Sequence, residues 1–166
     1  MNEIFSRVSV RKFKNSSVDK EKIEKLLRAA MAALSAGNQQ CWEFIVVENK
    51  DILKFLSYMS PYAKALEDAP LAIIVLGNMD RMIYPENWQQ DLGAATENIL
   101  LEAVHLGLGG VWLGVAPLKN RMKYVADFFN LKDNLKVYAV VPLGYPDKEY
   151  EAKDRYDETK IHFEVY

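Results

Sequence analysis

The sequence predicts an α+β domain, a sheet of about five short strands flanked by helices, and three features carry that expectation. Leu71 to Leu76 (LAIIVL) is apolar on both faces, as a central buried strand requires. Ile23, Leu26, Leu27, Ala30, Met31 and Leu34 recur at helical spacing and would turn one stripe to a core. From Trp88 to Leu106, the residues Leu92, Ala95, Ile99, Leu100, Ala103, Val104 and Leu106 leave little of a helix polar, so this helix is expected to be buried nearly all round.

In chain order, Val8 to Lys14 (VSVRKFK) is a basic, alternating segment. After Asn15-Ser16-Ser17, Asp19 is placed to cap the first helix, which turns Lys20, Glu21, Lys22, Glu24 and Lys25 to water. Ser35 to Gln40, small and amide residues, breaks the pattern as a loop. Glu43 to Glu48 is a short strand and Lys50 to Met59 a helix; a turn at Pro61 and a further helical stretch precede Pro70. Within the long helix, Gly93-Ala94-Ala95 lacks bulk and would admit another backbone. Gly107 stands where a left-handed residue ends the helix. Gly110 to Val115 is a third strand, Lys119 to Phe129 an amphipathic helix and Lys136 to Leu143 a fourth strand, closing on Gly144-Tyr145-Pro146. Asp147 to Lys160 is charged and aperiodic, yet Ile161 to Tyr166 (IHFEVY) reads as a fifth strand. That strand needs a sheet edge, and the edge of a second subunit is one option.

The 166 residues suffice for a single domain spanning 1–166, and half of them are hydrophobic. A net charge of -2 argues against nucleic acid as a partner. The single cysteine, Cys41, leaves no internal disulfide framework. Met1 to Ser6 has no basic start or apolar run of a secretory signal, and no apolar stretch approaches the roughly 20 residues of a membrane span. The expectation is a soluble cytoplasmic protein with no membrane partner.

Several chemistries lack their residues. His105 and His162 lie far apart, each on an expected regular element, and His105 reads as a core or interface residue. No spacing of His, Cys, Asp or Glu suggests a metal site, and Cys41 has no nearby histidine to activate it. Gly107-Leu108-Gly109-Gly110 follows a helix and precedes a strand, the reverse of a dinucleotide-binding loop, so it reads as a helix terminator. If the protein is an enzyme, an organic cofactor is expected to do the chemistry.

Four stretches, in order along almost the whole chain, resemble the nitroreductase family. Arg7-Val8-Ser9-Val10-Arg11-Lys12-Phe13 is similar to its N-terminal motif, and Ser35-Ala36-Gly37-Asn38-Gln39-Gln40-Cys41-Trp42-Glu43-Phe44 to its amide loop. Asp91-Leu92-Gly93-Ala94-Ala95, Asn98-Ile99-Leu100-Leu101 and Gly107 to Gly114 resemble its central helix and following strand. Pro142-Leu143-Gly144-Tyr145-Pro146, with Lys153 and Arg155 after it, is similar to its closing strand and basic pair. Leu34 and Cys41 stand where prolines are usual, which implies a less rigid loop; Val8 replaces a common Arg or His; and Ser57 to Trp88 is short.

The resemblance implies a three-layer fold around a mixed, mostly antiparallel sheet, in an intertwined homodimer with C-terminal strand exchange and FMN at the interface. By the same resemblance Arg7, Ser9 and Arg155, with Lys153 nearby, would hold the phosphate, and Val8 would offer backbone groups. An arginine fork can meet two phosphate oxygens at once. Arg11 would stand at the pyrimidine edge of the ring, where a cation favours the reduced, anionic form. Ser35, Ala36, Asn38 and Gln40 would come from the partner subunit, and Leu113 and Gly114 would bring backbone N–H groups to the ring. Trp112 reads as core rather than as a stacking partner. Tyr58, Met59, Tyr62, Tyr84 and Trp88 read first as core and second as pocket wall.

The implied activity is transfer of hydride from NADH or NADPH through FMN to a nitroaromatic, quinone or similar small conjugated acceptor, in a ping-pong scheme. No protein acid or base is needed for that step, and no catalytic side chain is assigned. The alternatives are a specialised reductive or flavin-consuming activity on the same fold with a different natural substrate, a flavin-binding module without turnover, serving storage or sensing, and a purely structural dimer.

Overall fold

The computed structural model describes residues 2–166. Its elements in chain order are α1 (Glu3–Ser6), α2 (Lys20–Met31), β1 (Trp42–Val47), α3 (Lys50–Ser57), α4 (Ala65–Asp68), β2 (Leu71–Asn78), α5 (Trp88–His105), β3 (Gly109–Gly110), β4 (Leu113–Gly114), α6 (Lys119–Phe128) and β5 (Leu135–Gly144). The sheet runs β1-β2-β5-β3, with β4 also on β5, and every ladder is antiparallel. Among the described residues its mixed character is confined to a single parallel bridge, Ser9 to Gly110, which ties the N-terminal segment to the sheet.

Alternation along β2 builds the three layers. Ala72, Ile74 and Leu76 point to one core, with Leu53, Leu56, Leu66, Val125 and Val140. Leu71, Ile73 and Val75 point to the other, with Ile23, Leu26, Leu92, Ile99 and Val141. The period of two sends neighbouring side chains to opposite faces, so α3, α4 and α6 cover one side and α2 and α5 the other. At about 1.5–3 kcal/mol for each large aliphatic side chain withdrawn from water, these two cores hold the fold together.

The third expected strand is interrupted. Gly110 pairs with Leu143 and Leu113 with Val140, so β3 and β4 share one register along β5 and break only at Val111 and Trp112. Val111 N–H donates to the Pro142 carbonyl at 3.3 Å, but proline has no N–H to return, and the ladder lapses there.

Helix α5 ends as expected and is covered less than expected. Gly107 has φ 72°; its N–H bonds Val104 O, and the Leu108 N–H bonds Ala103 O, closing both rings of a Schellman terminus. Lys22 Nζ adds a cation there, donating to Leu106 O at 2.8 Å. Asp91, Leu92, Ala95, Thr96, Ile99, Leu100 and Ala103 are buried, but the other half of the circumference is only partly covered within one chain. Gly93 admits aromatic side chains rather than a backbone: a Cβ there would stand 3.1 Å from Tyr138 Oη and 3.6 Å from Trp112. His105 is exposed at the helix end and pairs with Glu3 at 3.1 Å, so it is not a core residue.

Two other expectations are corrected. Asp19 occupies the N-cap position of α2 but its side chain makes no capping bond, and the helix stops at Met31, leaving Leu34 exposed. Ile161 to Tyr166 is not a strand within one chain: it follows a short turn at Glu158–Lys160, pairs with no strand and exposes Phe163, Val165 and Tyr166. Among the described residues, no helix is long and apolar enough to cross a membrane.

Candidate functional site

The N-terminal segment carries two of the expected site residues into one cleft and one into another. Arg7, Val8, Lys153 and Arg155 line a cleft of about 840 Å³, to which Glu151 and Asp154 also reach. Arg11, Leu113 and Gly114 line a second cleft, of about 670 Å³, with Trp112, Tyr62 and Arg121. Four residues of chain join Arg7 to Arg11, roughly 14 Å at full extension. The bridge from Ser9 to Gly110, and the Val10 N–H bonded to Gly110 O at 2.9 Å, fix where that segment crosses. A Cβ on Gly109 would stand 2.5 Å from Val10 Cγ2, so a glycine is required for the close approach.

The cations differ in their surroundings. Arg7 Nε lies 3.5 Å from Glu97 on α5. Lys153 and Arg155 make no ion pair among the described residues, and neither does Arg11, whose Nη1 reaches only the Ser9 carbonyl at 3.5 Å. Arg121, which sequence reasoning did not single out, donates to Gly114 O at 3.0 Å. Gly114 itself faces open space, with no atom within 4 Å of where a Cβ would stand. That leaves a stretch of bare backbone at the mouth of the second cleft.

The amide loop lies apart from both clefts of its own chain. Ala36–Asn38 forms a short 3₁₀ turn, and Gly37, Asn38 and Gln40 all adopt positive φ, at 54°, 55° and 47°. Ser35 Oγ accepts from the Gln40 N–H at 3.1 Å, and Gln40 Nε2 donates to Asn38 Oδ1 at 2.8 Å. The loop lacks proline at Leu34 and Cys41 and is braced instead by two residues that sequence reasoning missed, Asp91 and Gln39. Asp91 accepts from the Ala36 N–H at 2.9 Å and from Gln39 Nε2 at 2.6 Å. One signal was available: Asp91 shares a helix face with Leu92 and Ala95, where an acid can be buried only with partners.

Cys41 is fully buried, and burial first, then the neighbouring Asp91 charge, push its thiol up to about 11. It therefore stays protonated and unreactive in the neutral range. Of the residues considered for a pocket wall, Tyr62 lines the second cleft, Met59 is buried in the core, Tyr58 is exposed, and Tyr84 packs on Gly37. Trp88 and Trp112 both meet Tyr138 edge-on, at 5.9 and 5.6 Å between ring centroids. Trp112 thus joins the core on one side and the second cleft on the other.

Comparison with known proteins follows the same lines. The family model described as "Nitroreductase family" matches residues 4–68 and 57–145. A protein of Archaeoglobus fulgidus, provisionally named NADH dehydrogenase/NAD(P)H nitroreductase, is 45% identical over 98% of this chain and 96% of its own. A solved structure from Clostridium acetobutylicum, provisionally named an NADH oxidase, is 52% identical with a TM-score of 0.97, covering 99% of both chains. The FMN-dependent nitroreductase of Clostridium difficile R20291 is 32% identical with a TM-score of 0.92, again over 99% of both. With its fold, its N-terminal motif and its amide loop all matched in this way, the chain belongs to the nitroreductase family.

Proposed function

We propose that the chain is an FMN-dependent oxidoreductase that uses NADH or NADPH to reduce a nitroaromatic, quinone or similar conjugated acceptor by a ping-pong scheme. It works as a homodimer with the flavin at the subunit interface. Family membership and the names carried by its relatives support the reading. The observation that carries it is a division within one chain: two clefts, one lined by Arg7, Lys153 and Arg155 and the other by Arg11, and an amide loop that lines neither.

The residues present fit the cofactor. A phosphate suits the cleft that gathers Arg7, Lys153 and Arg155, where charge-assisted bonds to guanidinium groups contribute roughly 1.5–3 kcal/mol each. A planar ring suits the bare backbone at Gly114, where no side chain intrudes. Arg11 and Arg121 place positive charge beside that backbone. FMN, when bound, supplies the two-electron chemistry, so no side chain is assigned as acid or base. Ser35, Ala36, Asn38 and Gln40 line neither cleft of their own chain, and they are assigned to the flavin of the partner.

The exposed apolar surface supports the dimer. Ile4, Phe5, Leu34, Phe163, Val165 and Tyr166 are all exposed in one chain, and among the described residues β1 pairs only with β2, leaving its outer edge open. The tail from Ile161 to Tyr166 is assigned to a partner's sheet edge.

The test is direct. Purified protein should be yellow and should bleach anaerobically on addition of NADH or NADPH. Yellow protein that neither nicotinamide bleaches is a passive flavin binder, and protein that stays colourless with added FMN contradicts the reading.

A further inference from the structure

Asp91 and Gln39 are buried, 2% and 8% exposed, and line neither cleft. The Gln39 amide uses its full bonding capacity. Nε2 donates to Asp91 Oδ2 at 2.6 Å and to Tyr84 O at 3.2 Å. Oε1 accepts from the N–H groups of Ile83 and Tyr84, both at 2.9 Å. A carboxylate only accepts and a backbone N–H only donates, so the amide has one satisfied orientation. Asp91 Oδ1 meanwhile holds the Ala36 N–H. From a third side the Tyr84 ring closes on Gly37, where a Cβ would stand 2.5 Å from Cε2. Asn38 and Gln40, at φ 55° and 47°, are not glycines, and such conformations persist where the surroundings over-determine them.

We propose that Asp91 and Gln39 are positioning residues, whose carboxylate-to-amide bond between helix α5 and the loop holds Asn38 and Gln40 in their left-handed conformations, with the extended Ser35 beside them, in the arrangement that receives FMN. The inference rests on the flavin reading above and adds to it the device that shapes the loop. Neither residue touches the cofactor; both act through the backbone of Ala36 to Gln40. Because Asp91 stands in the first turn of α5, the loop is referred to a helix whose inner face, with Leu92, Ala95 and Ile99, is fixed in the core.

The experiment exchanges donor and acceptor. Asp91→Asn leaves one acceptor for two donors, so its NH₂ must face either the Ala36 N–H or the Gln39 NH₂, and a flipped Gln39 would turn its own NH₂ on the Ile83 and Tyr84 N–H groups. Gln39→Glu sets carboxylate against carboxylate. In the double variant, Asp91→Asn with Gln39→Glu, the donor sits on the helix and the acceptors on the loop, so the bond returns with its direction reversed. FMN dissociation constants are measured by fluorescence titration of flavin-free protein, and loop order by amide hydrogen exchange at Ala36 and Gln40 without flavin. Each single change is expected to weaken FMN binding by about tenfold or more and to speed loop exchange, as loss of a charged hydrogen bond does. The double variant is expected to recover part of both and to exceed either single variant, because the bond to residue 91 returns while the Tyr84 carbonyl still loses its donor. Should the charged variants not fold, Gln39→Ala, which keeps the Asp91 bond to Ala36, supplies the same readings. Wild-type FMN affinity in the single variants, or a double variant no better than they are, overturns the inference. Failure of the wild type itself to bind FMN strikes instead the flavin reading, and this inference with it.

Discussion

Arg7 Nε lies 3.5 Å from the Glu97 carboxylate in the middle of helix α5, while Arg7 also lines the cleft shared with Lys153 and Arg155. One ion pair leaves most of the five N–H donors of an arginine free for a phosphate. Arg7→Ala is therefore expected to weaken FMN binding about tenfold or more, from roughly 1.5–3 kcal/mol of charged hydrogen bonding. Glu97→Gln, which removes a competing carboxylate, should not weaken it. Titration of flavin-free protein with FMN measures both, and unchanged retention in Arg7→Ala would count against the phosphate assignment.

Arg11 carries a separable prediction, because its cleft also holds Leu113 and Gly114 rather than Arg7, Lys153 and Arg155. A cation that favours the reduced, anionic flavin by the worth of one charged bond raises a two-electron potential by roughly 30–60 mV. Arg11→Gln should lower the midpoint potential by that amount, read by equilibration with a reference dye. A potential that does not move would place Arg11 away from the ring.

Much of this architecture was legible in the residues, and what was not has physical causes. The LAIIVL run gave away β2 because a strand buried on both faces cannot carry polar residues. Gly107 marked the end of α5 because few other residues adopt φ 72° cheaply. The break between β3 and β4 was hidden, since it arises from the missing N–H of Pro142, some thirty residues later on the neighbouring strand. The cleft of Arg7, Lys153 and Arg155 was readable as a list of cations but not as a place, because Lys153 and Arg155 reach Arg7 only through the fold. The brace at Asp91 was the least legible: an acid in a helix's first turn usually faces water, and its partner Gln39 lies in a different element.

Cys41 gives the fold a measurable alkaline response. Its thiol has an ordinary value of 9.0 and burial raises it to about 11. The unfolded chain thus sheds this proton near pH 9.0 while the folded chain keeps it, and stability falls wherever the folded state binds the extra proton. The contribution is complete below about pH 9 and is lost as pH rises to about 11. Thermal unfolding of wild type and Cys41→Ala across that window should show the wild type losing melting temperature more steeply. Parallel slopes would show that the thiol is not shielded as the structure has it.

The C-terminal tail should matter more for assembly than for the fold of one subunit. Phe163, Val165 and Tyr166 are exposed and belong to neither core, so deletion of residues 161–166 leaves both cores intact. The shortened protein is expected to keep its secondary structure by circular dichroism and to dissociate at higher concentration in sedimentation equilibrium. A full-length chain that is monomeric at all concentrations would remove the interface.

Mixed dimers ask whether cations from one subunit and amides from the other enclose the same flavin. One subunit carries Arg7→Ala, the other Ser35→Ala with Asn38→Gly, the glycine tolerating the positive φ at that position. Each variant alone should form dimers that hold FMN weakly at both sites. In the mixed dimer one site collects both defects and the other collects none, so tight binding of one FMN per dimer is the expected result. If the mixed dimer binds no FMN more tightly than its parents, cations and amide loop serve the same subunit, and the shared site is wrong.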